Sequence, residues 1–224
     1  TNTLEELLST ETILLVGSDI MKDYTIAGLK IREAVKNGAK LLVVNPCESL
    51  IDEVAYRTYR PENNAGFLKE IIKALVEMGI APKEGKTSGF EELVKSLEGV
   101  KAGEAAKEIA GIYGKSKKAM VVFAQNGITP EGAKLLASIA VVSGHIGKPR
   151  SGIIELKSGS NSQGLVDIGI ETDCTGLLKD IQQQKIKGLV VLGEDINKEI
   201  LEKLDFLLVQ DTHMTEAAEH ADII

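Results

Sequence analysis

Apolar positions along this chain follow two periods. Between Glu11 and Pro46, two short runs without alternation, Thr12-Ile-Leu-Leu-Val16 and Lys40-Leu-Leu-Val-Val-Asn45, flank a stretch where Ala27, Ile31, Ala34 and Val35 recur at helical spacing. Lys30, Arg32, Glu33 and Lys36 take the other positions, so this helix packs on one face and is solvated on the other. Unbroken apolar runs are the mark of strands covered on both faces of a parallel sheet. Gly38 stands where a helix end favours a left-handed residue, two positions before the second run. The segment reads as a βαβ crossover.

The same reading extends along the chain. Cys47 to Asn64 has mixed polarity and reads as irregular surface. Leu68, Ile71, Ile72, Leu75 and Val76 predict a core-facing helix from Ala65 to Met78, closed by Gly79. Residues 82–89 read as a surface loop ending in Ser88-Gly-Phe-Glu91, the spacing of a capping box. A short helix with Phe90, Leu93, Val94 and Leu97 on one edge follows, then another from about Ala102 to Tyr113 carrying Ala105, Ile109 and Ile112. Ala119-Met-Val-Val-Phe123 predicts a third buried strand opening into Gln125-Asn126-Gly127. Thr129-Pro130-Glu131 combines a capping hydroxyl, a first-turn proline and an acid near the positive helix end. That helix runs to Ser143 and stops at Gly144. A glycine-rich basic turn, with Lys148 and Arg150 free to hold a phosphate or to solvate the turn, then leads into a strand from Ile153 to Leu156.

Beyond a polar loop at 158–164 the opening pattern restarts. Leu189-Val-Val-Leu192, Gly193-Glu194-Asp195-Ile196, a helix over Lys198 to Leu204, Phe206-Leu-Leu-Val209 and Gln210-Asp211 parallel Leu14 to Val16, Gly17-Ser18-Asp19-Ile20, Leu41 to Val44 and Asn45. This pseudo-repeat implies a first α/β domain over 1–160 and a partial second unit over 161–224. Asp222-Ile223-Ile224 resembles a strand beginning as the sequence stops, so the chain is expected to be a piece of a longer protein.

Composition narrows the partners. With 224 residues and 43% apolar content the core is ample, while aromatics at 4% leave few stacking surfaces for bases. A net charge of -7 and a pI near 5.2 argue against nucleic acid or an anionic membrane as a broad partner. Cys47 and Cys174 are far apart and neither forms a Cys-x-x-Cys pair, so they supply neither an iron-sulfur nor a structural zinc site. His145, His213 and His220 lack ligand spacing. No run approaches the ~18 apolar residues of a membrane span. A reduced, cytoplasmic setting without direct membrane insertion is expected.

In open α/β sheets, ligands collect beyond the carboxyl ends of the strands, where both Gly-x-Asp-Ile turns fall. A glycine there admits a phosphate to the backbone, and a polar residue ending the second strand, Asn45 or Asp211, reaches a ribose or base. Neither turn has the Gly-x-Gly-x-x-Gly spacing of NAD or FAD sites, and Asp19 or Asp195 would repel a phosphate set against it. The same residue types also simply turn chains and cap helices. No nucleophile stands with a base in a known arrangement.

Taken as an ordered set, Leu15-Val-Gly-Ser-Asp19 with Ala34 to Pro46, Gly144 to Gly152, Asn161-Ser-Gln-Gly164 with Asp167-Ile-Gly169, Gly193-Glu-Asp195, and Val209-Gln-Asp211 with Thr215-Glu-Ala217 and Ala221-Asp222 resemble the molybdopterin oxidoreductase family. The likeness is greatest to formate dehydrogenase alpha chains and to the large iron-sulfur subunit of NADH-quinone oxidoreductase. The resemblance implies two related Rossmann-like units with mainly parallel sheets around a bis-molybdopterin guanine dinucleotide carrying Mo or W. Gly17, Ser18, Asp19, Asn45 and Pro46 would serve one nucleotide tail, and Gly193, Glu194, Asp195, Gln210, Asp211 and Thr215 the other. Gln125 and Asn126 would face the cofactor from a third strand end. Iron-sulfur clusters would lie outside this region, and the partners would be other domains of the parent chain and electron-transfer subunits of a redox complex. Three departures stand out. Asn45-Pro46-Cys47 replaces the usual Asp-Pro-Arg, Asp19 replaces an asparagine, and the cluster cysteines and the segment bearing the metal-binding Cys or selenocysteine, which precede this region in the family, are missing. The resemblance therefore leaves two functions open. One is a formate dehydrogenase-like enzyme passing two electrons to iron-sulfur centres, with this portion inactive by itself. The other is a structural scaffold of an NADH-quinone oxidoreductase or hydrogenase complex, similar to the large iron-sulfur subunit, that has lost the cofactor.

Overall fold

Peptide groups of a strand buried on both faces bond only to neighbouring strands, and the first 160 residues satisfy theirs in a single parallel sheet. The structure is a computed structural model that describes residues 2–80, 88–159, 161–170 and 175–224. The loop expected at 82–87 and Cys174 lie outside the described residues. The chain divides into two compact units, residues 1–160 and 161–224.

The first unit contains β1 (Thr12–Val16), β2 (Lys40–Val44), β3 (Arg57–Tyr59), β4 (Ala119–Ala124) and β5 (Gly152–Leu156), all parallel, in the order β3-β2-β1-β4-β5. Its helices are α1 (Ile20–Asp23), α2 (Thr25–Lys36), α3 (Asn64–Glu77), α4 (Phe90–Ser96), α5 (Glu104–Lys115) and α6 (Pro130–Val142). Every residue of β1 is buried. Successive side chains point to opposite faces, so Leu14, Val16, Leu42, Val44, Val121 and Phe123 join the core under α3, α5 and α6. Ile13, Leu15, Leu41, Val43, Met120 and Val122 join the core under α1 and α2. That is why the runs show no alternation. Each buried Leu, Ile or Val contributes about 1.5–3 kcal/mol.

Residues 47–64 are more ordered than their mixed polarity suggested. A 3-10 turn at Leu50–Val54 leads into β3, which is short, lies at the sheet edge and buries only Tyr59. The Tyr59 hydroxyl donates to Glu108 (2.9 Å), and the same carboxylate accepts from Arg57 Nε (3.0 Å). Burial, together with the Glu108 charge, pushes the Tyr59 phenol above its ordinary range. Ser88 does not cap α4. Gly89 precedes that helix with φ near 80° and no side-chain cap, since the chain turns there through a left-handed residue. The buried face of α5 is Ala106, Ile109, Ala110 and Tyr113, with Ala105 and Ile112 only partly covered. Thr129 does cap α6, accepting from Gly132 N–H (3.1 Å) ahead of Pro130.

The second unit contains α7 (Ser162–Asp167), α8 (Thr175–Gln182), β6 (Gly188–Leu192), α9 (Lys198–Leu201), β7 (Phe206–Gln210) and α10 (Glu216–Glu219). The helix expected through Leu204 closes at Leu201. β6 and β7 form a separate two-stranded parallel sheet with Leu192 opposite Gln210. Val191, Leu207 and Val209 pack with Leu201, Ala217 and Ala218, while Val190, Leu192 and Phe206 on the other face are exposed. Ile223, in the strand-like segment 222–224, makes an isolated parallel bridge to Leu208.

Candidate functional site

Both glycine turns are built the same way. Gly17 adopts φ near 63° and its N–H donates to the Val44 carbonyl (3.0 Å); Gly193 adopts φ near 68° and its N–H donates to the Gln210 carbonyl (2.9 Å). In each case a left-handed residue turns the chain off one strand while bonding the last residue of the next, a conformation that costs glycine nothing.

The turns differ in what surrounds them. Strand order reverses between β1 and β4, so the crevice of a doubly wound sheet should open between the loops after these strands. Here the loops meet: a Cβ built on Gly17 would collide with the Gly127 carbonyl oxygen, and one on Gly127 with the Gly17 carbonyl oxygen. Asn45, buried at the end of β2, donates from Nδ2 to the Ser18 carbonyl (3.4 Å) and fixes the turn from its other side. Ser18 is buried and its Oγ has no partner among the described residues, nor does the buried Oδ1 of Asp19. Pro46, Gln125 and Asn126 are exposed around this assembly. Thus Gly17, Ser18, Asp19 and Asn45 come together with the loop that carries Gln125 and Asn126.

Next to this turn lies an open cleft of about 590 Å³ lined by Asp19, Glu48, Ser49, Asp52, Glu53, Thr58 and Arg60. Four carboxylates face one guanidinium. Arg60 is itself engaged, forming an ion pair with Asp52 and donating to the Asn45 carbonyl (3.1 Å), while Asp52 also accepts from Ser49 N–H (2.8 Å). Glu53 has Arg32 at 3.8 Å. This wall escaped the sequence reading. Its one local signal is the Ser49-to-Asp52 spacing, because the strand that ends just before Arg60 buries only Tyr59. A separate cavity of about 570 Å³ between α6 and β5, lined by Phe123, Ala133, Ile146 and Ile153 among others, includes Lys148 of the basic turn and none of the residues expected to hold a nucleotide tail.

In the second unit, Gly193 is open, with nothing among the described residues within 4 Å of a Cβ built there. Glu194 and Gln210 are exposed. Asp195 is already committed: its Oδ1 accepts from Ile196 N–H (3.0 Å) and Ala217 N–H (3.0 Å), tying the turn to α10. Thr215 accepts from Ala218 N–H (3.2 Å) and caps the same helix. Asp211 folds back onto the N–H groups of Thr212 (2.6 Å) and His213 (3.1 Å). Side-chain oxygens in this turn hold the backbone, and the Gln210 amide faces solvent.

Among the described residues no group of three or more His, Cys, Asp or Glu side chains is placed to hold a metal ion. No helix among them is long and apolar enough to cross a membrane.

Known proteins supply the context. A family model described as molybdopterin oxidoreductase matches residues 1–224. The chain is 26% identical to the F420-dependent formate dehydrogenase subunit alpha of Methanocaldococcus jannaschii, covering 100% of this chain and 42% of that protein. It is 26% identical to the NADPH-Fe(3+) oxidoreductase subunit alpha of Geobacter sulfurreducens, covering 99% of this chain and 33% of that protein. Among solved structures, acetylene hydratase from Pelobacter acetylenicus superposes with a TM-score of 0.70 at 13% identity, covering 97% of this chain and 41% of that one, a likeness of fold. The chain spans less than half the length of each of these relatives. The match to the Methanocaldococcus protein extends over 282 residues, so that protein carries residues inside the matched region that this 224-residue chain lacks.

Proposed function

This chain belongs to the molybdopterin oxidoreductase family, and on that premise we propose that it is the central cofactor-domain portion of a formate dehydrogenase-like subunit. The family implies a molybdopterin cofactor with Mo or W; in this reading the cofactor has the guanine dinucleotide form and, when bound, supplies the two-electron chemistry at its metal. The chain's own residues bind and orient. Gly193 to Asp195, Gln210, Asp211 and Thr215 would hold a nucleotide tail: the Gly193 backbone is open to close approach and the Gln210 amide is free in solvent. Electrons would leave through iron-sulfur centres elsewhere in a multi-subunit complex, as the relatives' designation as alpha subunits suggests.

One observation carries this reading. Two parallel strand pairs, distant in sequence, end in the same glycine turn with the same hydrogen bond to the neighbouring strand's last residue. The test is elemental and pterin analysis of the full-length parent, with formate-dependent reduction of a viologen dye. The catalytic reading expects stoichiometric Mo or W, releasable pterin and turnover.

A second reading has its own support. Asn45-Pro46-Cys47 provides neither the acid nor the guanidinium of active members, the first-unit turn is closed by backbone, and the chain lacks residues that its relative has. These features favour a structural scaffold of a respiratory or hydrogenase complex that keeps the fold without the cofactor. A parent free of metal and pterin, yet assembled with redox subunits, would establish it.

A further inference from the structure

A cofactor with two guanine nucleotide tails needs two phosphate-accepting strand ends, and the two turns of this chain are unequal. At the first, three features oppose a phosphate. Where strand order reverses, the Gly17 and Gly127 backbones are in contact, so the face of the Gly17 turn toward the loop after β4 is covered and a pyrophosphate is left only the acidic side of the turn. Of the turn's buried atoms left without partners, Asp19 Oδ1 is an acceptor set against a ligand that brings acceptors, and the Ser18 hydroxyl is the one donor beside it. The neighbouring cleft sets Asp19, Glu48, Asp52 and Glu53 against Arg60, whose guanidinium is occupied by Asp52 and the Asn45 carbonyl. At the second turn nothing among the described residues lies within 4 Å of a Cβ built on Gly193, and Asp195 is engaged by the N–H groups of Ile196 and Ala217.

We propose that the strand end of the first unit is closed to a nucleotide diphosphate, so that any phosphate contact this chain retains is confined to the turn of the second unit. The proposal takes the ligand class from the family reading and adds which half-site has been lost. It is distinguishable from that reading, because metal and pterin analysis of the parent reports whether a cofactor is present, whereas a nucleotide titration reports where a nucleotide touches this chain.

The experiment is a titration of the isotopically labelled 224-residue chain with GDP, and in parallel with guanosine, followed by backbone amide resonances. The expected result is that GDP produces no saturable shift at Gly17, Ser18, Asp19 or Gly127 that guanosine fails to reproduce. Shifts confined to Gly193–Asp195 and Gln210–Thr215, or no saturable shift anywhere, both agree with the closed first turn. Saturable shifts at Gly17 to Asp19 with GDP and not with guanosine overturn it. A second arm uses the Asp19→Asn, Glu48→Gln, Glu53→Gln variant, which removes charge and keeps the backbone contact. That variant should still show no phosphate-dependent shift at Gly17 to Asp19. Such a shift at micromolar GDP would mean that repulsion alone excluded the phosphate, contradicting closure by the backbone.

Discussion

The Gly17 and Gly193 turns share a backbone conformation and a hydrogen bond, yet their aspartates have opposite fates. Asp195 caps the N–H of Ala217 and stabilises α10, whereas Asp19, at the equivalent position, keeps a buried oxygen without a partner. The strands beneath them differ in the same sense. β1 is covered on both faces, and β6 has one face exposed at Val190 and Leu192. Two copies of one motif therefore impose the same local geometry while their surroundings decide what it can do.

The largest contrast expected from mutation lies in the strands. Leu14→Ala, at a fully buried position in β1, should cost about 2–5 kcal/mol in chemical denaturation, while Leu192→Ala on the open face of β6 should stay within about 0.5 kcal/mol. Equal costs would mean that the bare face is covered in solution.

Next come the glycines. Gly17→Ala combines a left-handed backbone with collision against the Gly127 carbonyl and should destabilise by about 2–4 kcal/mol. Gly193→Ala meets only the backbone penalty, about 1–2 kcal/mol. If Gly17→Ala proved the milder change in urea titrations, the contact that closes the first turn would be absent in solution.

The aspartates reverse that ranking. Asp195→Ala removes the acceptor for two N–H groups and should cost about 1 kcal/mol, whereas Asp19→Ala should be neutral or stabilising, because it relieves an unsatisfied buried oxygen. Amide hydrogen exchange at Ala217 would register the first change directly, as faster exchange.

Much of this was legible in the sequence because it depends on local backbone chemistry. Unbroken apolar runs gave away the buried strands, and glycine gave away the left-handed turns. What escaped depends on partners distant in the chain. Nothing near Gly17 announces Gly127 as its neighbour, and nothing near Asp19 or Asp195 shows that only the latter meets the N–H of Ala217. β3 was missed because, at the sheet edge, it buries only Tyr59, leaving too few apolar residues for a period, and with it went the acidic wall around Arg60.

The smallest effect concerns pH and the first unit alone. His145 is buried, its Nε2–H donates to the Tyr113 carbonyl (3.1 Å), and its Nδ1 has no partner. Burial lowers its pKa below the ordinary value of 6.5, outweighing the opposing effect of its bond to Tyr113. The unfolded chain then takes up a proton that the folded chain resists, so the contribution to stability is full above the unfolded value and declines as pH falls below 6.5 toward the folded one. His145→Gln should flatten the stability profile of the first unit in that window. An unchanged slope would remove His145 from the account.

The central claim, that two related turns are present and only the second is open to a nucleotide, is tested most directly by counting. Acid hydrolysis of the purified full-length parent, with quantification of guanine nucleotide released per polypeptide, should yield no more than one. Two per polypeptide would show that the first strand end accepts a nucleotide after all, and would contradict the account.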